Sequence, residues 1–214
     1  MTTDEIARFL RMHPQFFDQH PDLLESIHVP HPYGGRAIPL SERQTVALRE
    51  KARLLETKLA EILKYAEENE AIGEKVHRLS VALAGARDFA SLAHSLYFHL
   101  REDFAVPHVA LRVWGRPVPA DLREAEALTE DQKRNAEAMQ APQCGTAAGN
   151  AFVPWFGEAA EHVRSLALVP LGASPAFGLL ALGAEDPRRF YPEMGTLYLR
   201  RIGELCAAAV TARL

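Results

Sequence analysis

The chain has 214 residues, of which 48% are hydrophobic and 24% charged, with a formal net charge of −4. That balance supplies enough apolar side chain for a buried core and excludes wholesale disorder, and the slight acidity excludes the broad basic field of a non-specific nucleic-acid binder. The two cysteines, Cys144 and Cys206, lie far apart and form no Cys-x-x-Cys, which argues against a disulfide scaffold or a zinc knuckle; both read as small apolar residues.

The N-terminus, MTTDEIARFLRMHPQFF, carries acids early and has no long apolar run, so it does not read as a secretory signal. No window reaches the roughly 20 apolar residues of a membrane helix, and the expected location is the cytoplasm. Thr3 or Asp4 is placed to cap a first short helix with Ile6, Phe9 and Leu10 on one face. Pro14 opens a second short turn with Phe16 and Phe17, and Leu23, Leu24 and Ile27 form another apolar cluster. This helical cap has too little apolar area to stand alone. Residues 28 to 39, HVPHPYGGRAIP, are too rich in proline and glycine for regular helix and read as a linker or tight loop.

A long helix is expected from Ser41, where Ser41-Glu42-Arg43-Gln44 fits a capping box. Leu48, Leu55, Ile62, Asn69, Val76 and Leu83 recur every seven residues, and Ala52, Leu59, Ala66, Gly73 and Ser80 form a companion seam. A heptad stripe of this kind favours a left-handed helix pair, with Asn69 as the polar position that fixes register. Gly73 marks a place for close backbone approach or a bend. Either this stripe pairs two chains, the reading we take for its first half, or it packs on the chain's own domain, as we expect beyond Gly73. Arg43, Arg49, Lys51, Arg53 and Lys58 alternate with Glu42, Glu50, Glu56 and Glu61, the mixed signs of a solvated coiled-coil flank rather than a DNA-binding stripe.

From Asp88 the chain reads as an α+β domain. Asp88 caps a helix with the face Leu92, Leu96 and Leu100, and His108 to Trp114 alternates as a strand. Thr129 caps a helix over 130 to 140, and the Gly/Ala/Pro-rich stretch from Pro142 to Gly157 holds at most one short strand. Ser165 to Leu171 and Phe177 to Gly183 form a hairpin. A last helix is expected near Pro192, with the face Met194, Tyr198, Ile202, Leu205 and Ala209.

The segment SLALVPLGASPAFGLLALGAEDPRRFYPEMGTLYLRRIGELCAAAV resembles the closing half of a GAF domain. HPQFF, HPDLLESIHVPHPYGG and SERQ leading into a leucine-rich helix carry the resemblance across essentially the whole chain, to the bacterial family known as domain of unknown function 484. Where this chain has Pro39, the family pattern has a serine, which moves the expected cap to Ser41. The resemblance implies an N-terminal helical segment (1 to 40), a long dimerising helix (41 to 87) and a GAF-like domain (88 to 214) with an antiparallel sheet flanked by helices. It implies no established activity. GAF-like domains bind small molecules or pair as dimers in signalling proteins, so the expected partners are a second copy of the chain and a small ligand or a protein.

The candidate chemistry is sparse. His13, His20, His28 and His31 do not share a helix face and three of them precede prolines, so they read as turn and surface residues rather than metal ligands. No Gly-x-Ser-x-Gly elbow, Ser-x-x-Lys, Gly-x-Gly-x-x-Gly or phosphate-binding loop occurs. Arg112, Trp114, Cys144, Trp155 and His162 are the candidate lining of a ligand cavity between the sheet and residues 115 to 162. Against it stands the reading in which the tryptophans fill the core and Arg112 faces solvent. No cofactor is identified. The expected function is a homodimeric, non-catalytic sensor or scaffold. The alternatives are a thiol-based enzyme of GAF type using Cys144, and a transcription-linked accessory protein.

Overall fold

A computed structural model describes residues 2–29, 38–172 and 175–214, with the side chains of Glu25, Ile38, Leu40 and Ser41 outside the description. The expected Ser41 capping box, most of the 28 to 39 linker and the tip of the hairpin turn therefore lie outside the described residues. The chain divides into two units, Met1–Glu67 and Glu68–Leu214.

The first unit begins with α1 (Thr3–Met12), α2 (Phe16–Gln19) and α3 (Asp22–Ser26). The cap of α1 is Thr2, one residue before the expected position: its hydroxyl accepts from the Glu5 backbone N–H and the Glu5 carboxylate accepts from the Thr2 N–H. That reciprocal pair satisfies two donors that a helix start leaves open. Phe9, Phe16 and Phe17 stack edge to face, with His13 against Phe9 and His20 against Phe16, so these two histidines pack on aromatic rings. Within the expected linker, β1 (His28–Val29) and β2 (Ile38–Pro39) form a two-residue antiparallel pair. The helix α4 follows, Leu40–Gly85.

The first half of α4 presents its stripe to solvent. Leu48, Leu55, Leu59 and Ile62 are each more than half exposed. Beyond Gly73 the stripe turns inward, as its sequence position predicts: Val76 is half-buried and Leu83 joins the core of the second unit, with Leu79, off the stripe, beside it.

That unit is an α+β domain around a four-stranded antiparallel sheet of order β3-β6-β5-β4. Its strands are β3 (His108–Val113), β4 (Gln143–Thr146), β5 (Ser165–Leu171) and β6 (Gly178–Ala184). On one face Leu111, Val169 and Leu180 meet Leu79 and Leu83 of α4 and Leu92, Leu96 and Leu100 of α5 (Phe89–Glu102). Ile202, Cys206 and Val210 of α7 (Leu197–Thr211) complete this layer. On the other face Ala110, Leu166, Leu168, Leu179 and Ala181 meet Ala136 and Met139 of α6 (Glu130–Ala138) and its exit, together with Phe152. With both faces covered, β5 and β6 read as near-continuous apolar runs rather than alternating ones.

Local signals set the helix starts. Asp88 caps α5 through the Ser91 N–H at 2.7 Å, and Thr129 caps α6 (Glu130–Ala138) in a capping box with Gln132. The last helix departs from expectation. It begins at Leu197, with residues 191 to 194 in a turn (Met194 N–H to Tyr191 O, 3.0 Å), and Gly195, a poor helix former, stands just before it. Of the expected face, Ile202 and Ala209 are buried and Met194 and Leu205 pack against the core, joined by Leu199, Cys206 and Val210, while Tyr198 turns aside and donates its hydroxyl to the Asn69 carbonyl at 3.1 Å.

Two polar contacts anchor the C-terminal end of α4 within this unit. Arg213 donates to the carbonyls of Ala84 and Ala86, both at 2.9 Å, a cationic cap on a helix C-terminus. Arg78 reaches Asp103 at 3.1 Å, and His99 meets the other oxygen of Asp103 at 2.6 Å. Among the described residues no helix is long and apolar enough to cross a membrane.

A cleft over the first strand

Strand β3 lies at one edge of the sheet, and its alternation divides its side chains: Val109, Leu111 and Val113 enter the helix-covered core, while Ala110 and Arg112 point to the opposite face. Over that opposite face runs a loop with a single 3-10 turn (Arg123–Ala125) and a longer 3-10 stretch (Val153–Glu161) broken at Gly157, where φ is +60°. Between them opens a cleft of about 760 Å³ lined by Tyr97, Arg101, Ala110, Arg112, Arg123, Glu124, Glu126, Trp155, Phe156 and Glu158, among others.

Arg112 lines this cleft and is only 6% exposed. A buried cation needs compensation, and it has three kinds. Its Nη1 donates to the Leu111 carbonyl at 3.0 Å, its Nη2 donates to Glu126 Oε2 at 2.5 Å, and its guanidinium carbon lies 5.4 Å from the Trp155 ring centroid. Glu126, in contrast, is 58% exposed at its side chain. Beside them Glu124 is buried and accepts a short hydrogen bond from the Tyr97 hydroxyl. Burial, then the adjoining Glu124 carboxylate, pushes the Tyr97 phenol well above its ordinary range, so it stays protonated as a donor.

The five residues singled out from sequence separate here. Arg112 and Trp155 come together at the cleft. Trp114, just past the strand, lines a neighbouring hollow of about 450 Å³ and donates its indole N–H to Glu137 at 3.2 Å; Glu126 borders both spaces. Cys144 lies on β4, the far edge strand, opposite Ala167, and packs against the helix-covered face of the sheet. It is thus remote from Arg112 in strand order and on the other face. Burial raises its thiol pKa, and raises that of Cys206 to about 12. His162 is exposed, 3.4 Å from the Glu161 carboxylate, and is not part of the cleft lining. Tyr97, Glu124 and Glu126 were not visible as site residues from sequence. Tyr97 reads as part of an apolar helix face, and the two glutamates sit in a loop whose acids look like any solvated turn.

Comparisons with known proteins give a family and leave activity open. The chain is 23% identical over 204 residues to an uncharacterised protein, YigA, of Salmonella typhimurium strain LT2, covering 92% of this chain and 86% of that one. Among solved structures it is similar to the GAF domain of A. aeolicus nlh2 in an inactive state, with a TM-score of 0.47 and 14% identity, covering 68% of this chain and 99% of that one. The sequence profile described as "Protein of unknown function, DUF484" matches residues 1–213, and the chain belongs to that family.

Proposed function

We propose that this protein is a homodimeric, non-catalytic sensor module, in which the cleft over β3 receives a small ligand and the exposed stripe of α4 joins two chains. The observation that carries the reading is Arg112: a cation 6% exposed on the floor of a cleft of about 760 Å³, held by a carboxylate that is itself mostly in water. Cleft volume, flat aromatic wall and a few convergent polar groups are the usual features of a small-molecule site. The apolar stripe Leu48, Leu55, Leu59 and Ile62, at heptad spacing and more than half exposed, supports pairing with a second copy, with Asn69 as the polar position of the seam, whereas Val76, its next member, packs against the chain's own core. Any change at the cleft has a direct path to α4 through α5, whose Tyr97 borders the ligand space and whose C-terminal end meets Arg78 through Asp103.

The thiol-enzyme alternative finds little support, because both sulfurs have raised pKa values and Cys144 lies across the sheet from the cleft. Nucleic acid and membrane are not proposed as partners, given the net charge of −4. Sedimentation velocity of the full chain and of Asn69→Leu tests the pairing. A wild-type dimer whose oligomeric state or thermal stability shifts on that substitution supports the seam. A monomer, or a dimer indifferent to Asn69→Leu in both respects, counts against it.

A further inference from the structure

We propose that Glu126 is a displaceable stand-in for the ligand, and that the cleft takes a monoanionic carboxylate with a flat aromatic body. This deepens the reading of the cleft as a receptor site and rests on it.

The argument starts from an asymmetry. Arg112 is almost wholly out of water while its partner Glu126 keeps 58% of its side-chain surface in water. Removing an anion from a buried guanidinium is costly, whereas returning a surface carboxylate to solvent costs little. The Arg112 site therefore demands an anion but does not demand this one. Glu126 is also lightly held. It follows a single 3-10 turn, and among the described residues its backbone makes one hydrogen bond, from its N–H to the Arg123 carbonyl at 3.1 Å.

Charge then sets the valence of the guest. Three arginines (Arg101, Arg112, Arg123) and three glutamates (Glu124, Glu126, Glu158) line the cleft. With Glu126 turned out to solvent, the lining carries one uncompensated positive charge, which matches a monoanion and disfavours a polyphosphate. Geometry sets the head group. A carboxylate is what Arg112 already binds, at 2.5 Å from Nη2, and the planar guanidinium suits it in two-point contact. The wall sets the body. Trp155, half-buried and edge-to-face with Phe152 at 5.0 Å, is fixed in orientation, and Phe156 continues the apolar surface. A flat ring attached to the carboxylate lies along these faces.

The test is isothermal titration of the full-length protein with 2-naphthoate and phenylacetate, with their neutral amides and with acetate, for wild type and Glu126→Gln. The expected result is saturable binding of the aromatic carboxylates, weak binding of amides and acetate, and tighter carboxylate binding by Glu126→Gln. If the Glu126 pair is closed nine-tenths of the time, the gain is roughly tenfold, because apparent affinity scales with the competent fraction. Arg112→Gln should abolish the discrimination between carboxylate and amide; should it fail to fold, Trp155→Leu serves, with loss of the preference for naphthoate over acetate. Equal binding of carboxylates and amides overturns the inference while leaving the cleft a receptor. Unchanged or weakened carboxylate binding by Glu126→Gln overturns the stand-in role. Absence of binding by every probe to both proteins also overturns the inference, and the receptor reading then stands or falls on whether natively purified protein carries a small molecule.

Discussion

Truncating the exposed stripe of α4 and truncating a buried leucine in the second half of the same helix should have different signatures. Leu55 and Ile62 are 56% and 62% exposed, while Leu79 is fully buried. Burying a whole leucine or isoleucine side chain contributes about 1.5–3 kcal/mol, so covering the exposed half of each is worth roughly 1–1.5 kcal/mol. Leu55→Ala/Ile62→Ala removes two such side chains from each chain, four per dimer, or about 4–6 kcal/mol of association, equivalent to a weakening of roughly three to four decades in the dimer dissociation constant. Sedimentation equilibrium across a wide concentration range reads this directly. Leu79→Ala should instead cost about 2–5 kcal/mol of unfolding free energy through the cavity it leaves, with no effect on dissociation. A double variant that dissociates no more readily than wild type would refute the assignment of the stripe to chain pairing, and a concentration-dependent effect of Leu79→Ala would refute its assignment to the domain core.

Three further outcomes follow from particular contacts. Gly203→Ala would put a methyl 2.6 Å from Val169 Cγ1 and 3.2 Å from the Pro170 carbonyl, so α7 must shift on β5, at an expected cost of about 1–3 kcal/mol in urea denaturation; a neutral effect would mean that α7 is not held closely there. Cys206 and Cys144 should react slowly with a thiol reagent at pH 8 in the folded protein and rapidly after denaturation, since burial raises both thiol pKa values; fast native reaction at Cys144 would reopen thiol chemistry. Asp103 is held below its ordinary pKa of 3.8 chiefly by the His99 hydrogen bond, with Arg78 adding to it. The sign follows from linkage: a depressed carboxylate contributes stability that is present above the unfolded value and is lost as pH falls through the lower folded value. Asp103→Asn should therefore flatten the loss of thermal stability below about pH 4, seen in melts from pH 5 to pH 2; an unchanged acid limb would contradict the contact.

The fold was legible wherever one local pattern decides it. Leu92, Leu96 and Leu100 announce the buried face of α5, Asp88 its start, and the apolar runs of β5 and β6 their hairpin. The turn of the α4 stripe from solvent to core near Gly73 was readable for the same reason. The start of α7 was not, because Pro192 is an acceptable first helical residue and only the turn through Gly195 shows that the helix waits until Leu197. Of the candidate site, the residues picked from sequence that meet at the cleft are Arg112 and Trp155. Which face Cys144 occupies depends on β4 being the last strand and on its register with Ala167, both long-range facts. Glu126 is marked as a partner of Arg112 only by a loop that returns across the strand, and no spacing in the sequence encodes that return.

Native mass spectrometry of protein purified gently from its own cells tests the central claim most directly, because it reads chain number and retained small molecules together. The account predicts a dimer carrying additional mass that is lost from Arg112→Gln. A monomer would contradict the pairing of α4, and a dimer whose additional mass survives that substitution would contradict the assignment of the ligand to the cleft over β3.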